Sequence, residues 1–297
     1  VEDIDSLYCF GELRFNSRLM NFLSSKQIPL HFFNYYGYYS GSFYPREILV
    51  SGKLLIKQVE FYQQEEKRLA LSRKLIQSAC FNILKNLQYY NNRERDCTPF
   101  IEIIEDYKGR IELSNTIEEL MGIEGNIRRV YYESWHLLIT DEIKFERREM
   151  HPPTNPVNAL ISFCNAMVYS TVLSEIYKTQ LNPTVSILHQ PSERRFSLSL
   201  DVAEIFKPLL ADRIIFTLLN KRIIQDKHFR KEFNSCYLTD EGRKIVVQAY
   251  DEKIKTTIKH RTLKRSVSYK QLVRLECYKL IKHFLEEKEY KPFKIWW

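Results

Sequence analysis

Between Lys53 and Tyr90 the chain has neither glycine nor proline. Apolar side chains recur there at Leu55, Val59, Tyr62, Leu69, Ile76, Cys80, Ile83 and Leu87, in steps of three, four or seven. That period lines them along one face, so the stretch predicts one long helix or two in series. The first fifty residues read differently. Ile4–Phe10, Ile28–Phe33 and Tyr38–Phe43 are short runs rich in aromatic and aliphatic residues that predict strands, with a short helix over Ser17–Ser24 between the first two. Gly37 and Gly41 in NYYGYYSGSFYPRE predict tight turns. Its tyrosines suit packing across strands and also stacking on nucleic-acid bases. Pro45 to Gly52 predicts a connection.

The remainder predicts helices. Asn115–Glu118 and Thr116–Glu119 are both capping-box candidates for a helix through about His136. NNRERD at Asn91–Asp96 reads as a polar loop. HPPTNP at His151–Pro156 predicts a stiff loop before a helix from Val157 to about Thr179, which Asn182–Pro183 ends. A further helix is expected from about Ser197 to Ile224, bent near Pro208. Leu238–Asp240 with Glu241 starts another, and the last 45 residues hold one or two more. The predicted class is α+β: a small N-terminal β-rich domain over residues 1–50, followed by a larger all-α domain over residues 51–297.

Charge changes the picture. The net charge is +8, but Lys253 to Trp297 alone carries 13 Lys and Arg against 4 Asp and Glu. A basic tail on a nearly neutral body predicts a polyanionic partner, nucleic acid before membrane; the plainer reading is a solvated helix face. Hydrophobic residues make up 44% of the chain, enough for a sizeable core. The cysteines, at 9, 80, 97, 164, 236 and 277, are never closer than 17 positions. That excludes a C-x-x-C metal or redox pair and predicts a reducing compartment. The start, VEDIDSLYCF, has neither an initiator Met nor a basic-then-apolar leader, so the numbering is expected to begin inside a longer chain. No 18-residue run is uninterruptedly apolar, so no membrane-spanning helix is expected.

The candidate chemistry lies in LHQPSERRFSLSLDVAEIFKP, Leu188 to Pro208. Leu198, Val202, Ile205 and Leu209, spaced i, i+4, i+7, i+11, form a stripe for the core. Asp201 and Glu204 are three apart and share a face. Like charges that close disfavour one another unless a cation compensates. His189 lies on the preceding loop, and an imidazole with carboxylates suits Mn²⁺ or Mg²⁺. Such a site needs another anionic ligand. Glu124, in MGIEGNIRRVYY, is a candidate because Gly122 and Gly125 flank it within a helical pattern. A mid-helix glycine costs about 0.5–1 kcal/mol against alanine, which close approach of backbone or ligand would offset. Each residue also has a plain reading: a solvated helix carboxylate, a satisfied loop histidine, a surface glutamate. No spacing rule joins Glu124 to His189 across 65 residues.

Several segments together resemble the CRISPR-associated endonuclease/integrase family, the first of the two core proteins that acquire new spacers. DIDSLYCFGEL with IPLHFFNYYGYYSGSFYPRE looks like its N-terminal β-domain, and GIEGNIRRVYY like its helix carrying a metal-binding glutamate. PPTNPVNALISF, LHQPSERRFSLSLDVAEIFKPLLAD and the YKPFKIWW ending resemble further family segments, in the same order. The family usually has more strand-forming residues before the position of Val1, and glycines near Ser186 or Ile187 and at Arg194; those departures touch loops.

The resemblance implies that Glu124, His189 and Glu204 coordinate Mn²⁺ or Mg²⁺, with Asp201 beside the metal. It implies spacer insertion by 3′-hydroxyl attack on a phosphodiester, with nicking when water attacks. It implies double-stranded DNA as substrate and a prokaryotic cytoplasm. It also implies a homodimer through the β-domains, two dimers being bridged by a dimer of the small companion adaptation protein into a heterohexamer. Arg128, Arg129, Arg195 and Lys207 are the nearest candidates for phosphate contacts, each with a plain surface role as its alternative. The competing functional readings are a non-catalytic nucleic-acid-binding protein, a scaffold subunit, and a metal hydrolase of small phosphoesters.

Overall fold

The glycine-free stretch is two helices in series. In the computed structural model, which describes residues 4–46, 49–140, 145, 147–149, 152–193 and 196–296, α2 (Gly52–Gln63) and α3 (Glu65–Asn91) break at Gln64, where φ is −88° and ψ 90°. α1 (Ser17–Ser25) precedes them, and α4 (Thr98–Ile111), α5 (Ile117–Glu133) and the short α6 (Trp135–Leu138) follow. Then come α7 (Pro156–Tyr177), α8 (Ser197–Phe206), a π-helical turn over Pro208–Asp212, α9 (Arg213–Asn220), α10 (Asp240–Lys255) and α11 (Tyr269–Phe284). A small N-terminal strand region thus precedes a mostly helical body.

The caps explain several starts. Asn16, Ser51, Asn155 and Thr239 each accept a backbone N–H of the first turn of the helix they precede. At α5 Thr116 is the N-cap, its hydroxyl accepting from Glu119 N at 3.1 Å, but the expected box is only half made, because Glu119 Oε2 reaches past it to Asn115 N at 2.7 Å. Ser268 and Gln271 form a full capping box at α11.

β1 (Leu7–Phe10) pairs parallel with β2 (Leu30–Phe33), so α1 serves as the crossover. β2 pairs antiparallel with β3 (Tyr39–Phe43), with an irregularity at Phe32/Phe33. Strand alternation gives the sheet two apolar faces. Leu30 packs with Leu23 and Ile28 near α1, while Phe10 and Phe33 turn towards α7. Tyr8 hydroxyl meets Thr171 Oγ1 at 3.1 Å, and the rings of Tyr39 and Tyr169 lie 5.5 Å apart. At Gly37, with φ +84°, a Cβ would stand 2.6 Å from Phe163, so the turn over α7 admits only glycine. Tyr39 of β3 and Tyr44 just after it pack against Tyr169 and Tyr177, whereas Tyr35 and Tyr36 remain exposed.

α7 runs through the centre, nearly all of it buried, against α8, α11 and the π-helical turn. One 18-residue window of it is apolar enough that length and composition alone would let it span a bilayer. Since 78% of that window is buried inside the protein, core packing accounts for its apolar character.

Three further departures have physical causes. The helix expected over Ser197–Ile224 is divided: Pro208 has no N–H to donate, and the chain passes through a π turn closed by Asp212 N on Lys207 O at 3.1 Å. Asn86 Nδ2 donates to Pro208 O at 2.8 Å and Asn82 Nδ2 to Ile205 O at 3.0 Å, satisfying carbonyls near the break. Two hairpins were not foreseen, β4 (Phe229–Glu232) with β5 (Ser235–Leu238) and β6 (Thr257–Lys259) with β7 (Ser266–Ser268). Their strands are three or four residues long, too short to show a period of two. Their connections also lack the glycine that marks hairpins, since Phe233 and Lys264 take φ of +52° themselves.

Candidate active site

His189 sits on a loop that distant residues hold in place. Asp201, buried on α8, accepts N–H bonds from Ile187 at 2.6 Å and Leu188 at 3.0 Å through Oδ2, and from His189 at 3.0 Å through Oδ1. Asp201 Oδ1 also lies 2.7 Å from His189 Nδ1. Placing the proton on Nδ1 makes that contact a donor bond and leaves Nε2 with its lone pair free. Burial disfavours the imidazolium, but the bond and charge of Asp201 outweigh it and raise the His189 pKa.

The outer side of the loop is also fixed. Arg68 of α3 donates to Ile187 O at 2.6 Å and Leu188 O at 3.2 Å, and Gln58 of α2 exchanges bonds with the Asn182 backbone. Asp201 therefore meets the imidazole and positions the chain that carries it.

Glu204 lies one turn further along α8, 6% exposed. Burial alone would raise its pKa. Lys207 and Arg128, each hydrogen-bonded to one of its oxygens, reverse that and bring it to about 2. Arg128 Nε also donates to Glu124 Oε1 at 3.1 Å, so one guanidinium bridges the two glutamates. The Glu124 pKa is raised, by burial first and by the Glu204 charge second.

The arrangement brings Glu124 of α5, His189 and Glu204 into one electrostatic neighbourhood. The Glu204 charge acts on Glu124 and on His189. Two carboxylates and an imidazole with a free nitrogen are a donor set suited to Mn²⁺ or Mg²⁺, and a cation is already needed there to hold the acids together. In this conformation that cation is Arg128, and among the described residues no three donors close to ligating distance.

The flanking glycines do not mark close approach by the protein. A Cβ at Gly122 or Gly125 would meet nothing within 4 Å among the described residues, so backbone packing does not offset their helix penalty. Both are exposed, leaving a bare strip of helix beside Glu124. Of the phosphate-contact candidates, Arg128 is turned inward and Lys207 is occupied by Glu204. Arg129 is exposed and pairs with Glu133 at 2.9 Å. Arg195, like His151 of the expected stiff loop, lies outside the described residues.

The family model of the CRISPR-associated protein Cas1 matches residues 1–252. The chain belongs to the Cas1 family. A Cas1 endonuclease of Fusobacterium nucleatum is 53% identical over 297 residues, covering 100% of this chain and 88% of that one. The solved structure of a Cas1 protein from Thermotoga maritima is 40% identical, with a TM-score of 0.86 over 99% of this chain and 90% of that one. A chain of a Cas6-RT-Cas1–Cas2 complex, at 18% identity, shares the fold with a TM-score of 0.83, covering 98% of this chain and 32% of that one. With Cas1 endonucleases matching at about this identity across the whole of this chain, the protein is an enzyme of the nuclease/integrase class that serves CRISPR adaptation.

Sequence reasoning missed the residues that hold the site. Asn82 and Asn86 sit four apart on the buried face of α3, and paired amides in an apolar stripe were an available signal. Arg68 and Gln58 gave none, because their partners lie 119 to 127 residues away.

Proposed function

We propose that this protein is a metal-dependent DNA endonuclease and integrase, inserting spacer DNA into a CRISPR array by attack of a 3′-hydroxyl on a phosphodiester. The observation that carries the reading is the Asp201–His189 pair, in which Asp201 holds Nδ1 and the imidazole lies within the field of Glu204, the same charge that acts on Glu124. Mn²⁺ or Mg²⁺ would be held by Glu124, His189 and Glu204. When bound, such an ion polarises the scissile phosphate and lowers the pKa of the attacking hydroxyl or water.

The chain's own residues do the rest. Asp201 keeps the imidazole oriented and its proton on Nδ1. Lys207 places positive charge at the rim, where charge develops on the phosphate. The exposed glycine strip of α5 lets a DNA backbone come close to Glu124. The β6–β7 hairpin exposes Lys259 at the end of β6 and Arg261, Lys264 and Arg265 in its turn, a sequence-independent contact for phosphates. Elsewhere in the tail Lys270, Arg274 and Lys279 are engaged by acids. The chain would work as a homodimer through the N-terminal strand region, with Cas2 as companion, as in the complex whose Cas1 chain shares its fold; two Cas1 dimers and one Cas2 dimer make the heterohexamer.

A second reading, a non-catalytic scaffold or DNA-binding subunit, is favoured by the saturation of Glu204 by Arg128 and Lys207. Strand transfer separates the two. The protein and its companion are incubated with short duplex DNA bearing a free 3′-hydroxyl and a supercoiled plasmid, with Mn²⁺ or with EDTA. Joined products only with Mn²⁺, lost in Glu204→Ala, are expected; DNA binding without joining, indifferent to metal, would establish the scaffold.

A further inference from the structure

Arg128 stands where the two glutamates meet. Its Nε serves Glu124 and its Nη2 serves Glu204; among the described residues no other ion pair joins them. Lys207 reaches Glu204 alone. The planar fork of arginine bridges two carboxylates in a way an ammonium cannot. The remaining nitrogen, Nη1, is buried and has no hydrogen-bond partner among the described residues. A buried guanidinium donor left empty is costly and needs a reason.

The reason lies on the π-helical turn. Asp212 is buried, no cation is paired with either of its oxygens among the described residues, and the only group that reaches it is the Tyr131 hydroxyl, through a long hydrogen bond. Its charge acts on Arg128 and that of Arg128 on it, yet no ion pair joins them in this arrangement. The Tyr131 hydroxyl accepts from Asn86 Nδ2 at 3.1 Å and turns its own proton to Asp212. A guanidinium nitrogen without a partner and a buried carboxyl with no cation bound to it, each within reach of the other's charge, describe a second seat for the guanidinium. The π turn, set by Pro208 and secured by Asn86, is what brings Asp212 there.

We propose that Arg128 is the resident cation of the site, holding Glu124 and Glu204 together until a divalent ion displaces it, and that Asp212 receives the displaced guanidinium. The inference rests on the reading that Glu124, His189 and Glu204 bind the ion. Positive charge between the acids is never lost during the exchange, so the carboxylates stay close without collapsing or repelling one another. Arg128 is then a positioning residue, and it competes with metal.

The competition has a measurable sign. A site occupied by its own arginine for nine-tenths of the time binds an ion about tenfold more weakly than the open site. Calorimetric titration of the metal-free full chain with MnCl₂ reads it directly. Arg128→Gln is expected to bind Mn²⁺ about tenfold more tightly than the parent. Asp212→Asn, which removes the charge of the receiving seat, is expected to bind several-fold more weakly. In the Arg128→Gln background the same Asp212→Asn change is expected to do nothing.

Circular dichroism melting shows which variants are folded. If Arg128→Gln is not, Arg128→Lys takes its place, keeping the charge but reaching one carboxylate only, and it too is expected to bind Mn²⁺ more tightly than the parent. Binding unchanged or weakened in the folded Arg128 variant overturns the proposal. So does an Asp212→Asn effect that persists without Arg128. Glu204→Gln separates the two levels: if it keeps the parent's affinity, the metal site itself is wrong. If it loses binding while Arg128→Gln matches the parent, only the role of Arg128 is wrong.

Discussion

Glu175 on α7 and Glu204 on α8 are both carboxylates in helices otherwise built for the core, and both are buried among cations. Glu175 has more of them. Arg274 Nε meets its Oε2 at 2.6 Å, with Lys178 at 3.6 Å and Lys270 at 4.0 Å from Oε1. Asp5, just ahead of β1, shares Lys178, Lys270 and Arg274, and those lysines bring its pKa to about 2 against the effect of burial. That network ties the N-terminal strand region to α7 and α11. At Glu204 fewer cations serve two acids, a guanidinium nitrogen stays without a partner, a neighbouring carboxyl has no cation bound to it, and the helix opposite exposes two glycines. One cluster closes a junction, whereas the other is open on one side and poised for exchange. A cavity of about 590 Å³ adjoins the first, lined in part by Asp5, Lys178 and Arg274. Its size is no guide to chemistry, since none of its lining residues belongs to the candidate active site.

The comparison breaks most sharply on activity. Glu204→Ala and His189→Ala are expected to abolish strand transfer in a gel assay, while Glu175→Gln leaves it within about twofold of the parent. Stability should reverse the ranking: removing the Glu175 charge takes the buried partner from three partly exposed cations and costs about 1.5–3 kcal/mol in chemical denaturation. Comparable loss of activity from Glu175→Gln in folded protein would erase the distinction.

Asp201→Asn tests whether the loop is aimed as well as held. The amide keeps the shape but no longer orients the imidazole by charge, and strand transfer should fall about 10–100-fold, as for other groups that orient metal ligands. A full-rate variant would mean that His189 needs no such partner.

Salt reads the exposed β6–β7 hairpin. Neutralising Lys259, Arg261 and Lys264 should flatten the plot of log binding constant against log salt by about one unit per lost phosphate contact. Neutralising Lys270, engaged by Asp5 and Glu175, should leave the slope alone.

The smallest effect is on pH. Burial raises the Asp212 pKa from 3.8 to about 7. Below pH 3.8 folded and unfolded chains both hold the proton; between there and about 7 only the folded chain does. Stability from this group is therefore full at low pH and lost as pH rises through 7. Melting midpoints of metal-free protein between pH 4 and 8 should show that decline in the parent and less of it in Asp212→Asn.

Glu175 also measures how much of the molecule the sequence discloses. Asp201 and Glu204 stand out as acids within a period-3.6 apolar stripe. Glu175 has the same setting and was passed over, because the pattern marks a buried acid without saying what compensates it. That depends on Arg274, 99 residues away. Long helices and caps are legible, since period and capping chemistry are local. Three-residue strands are too short to carry a period, and the His189 loop is held by α2 and α3 from far along the chain. The donor set for the metal was suggested by type and resemblance, but Arg128 between the acids needed the fold.

The most direct test is anomalous scattering from crystals soaked with MnCl₂. One manganese peak bounded by Glu124, His189 Nε2 and Glu204, with the Arg128 guanidinium withdrawn from between the carboxylates, is the predicted result. A soaked crystal in which Arg128 still bridges the glutamates and no manganese lies between them would contradict the account.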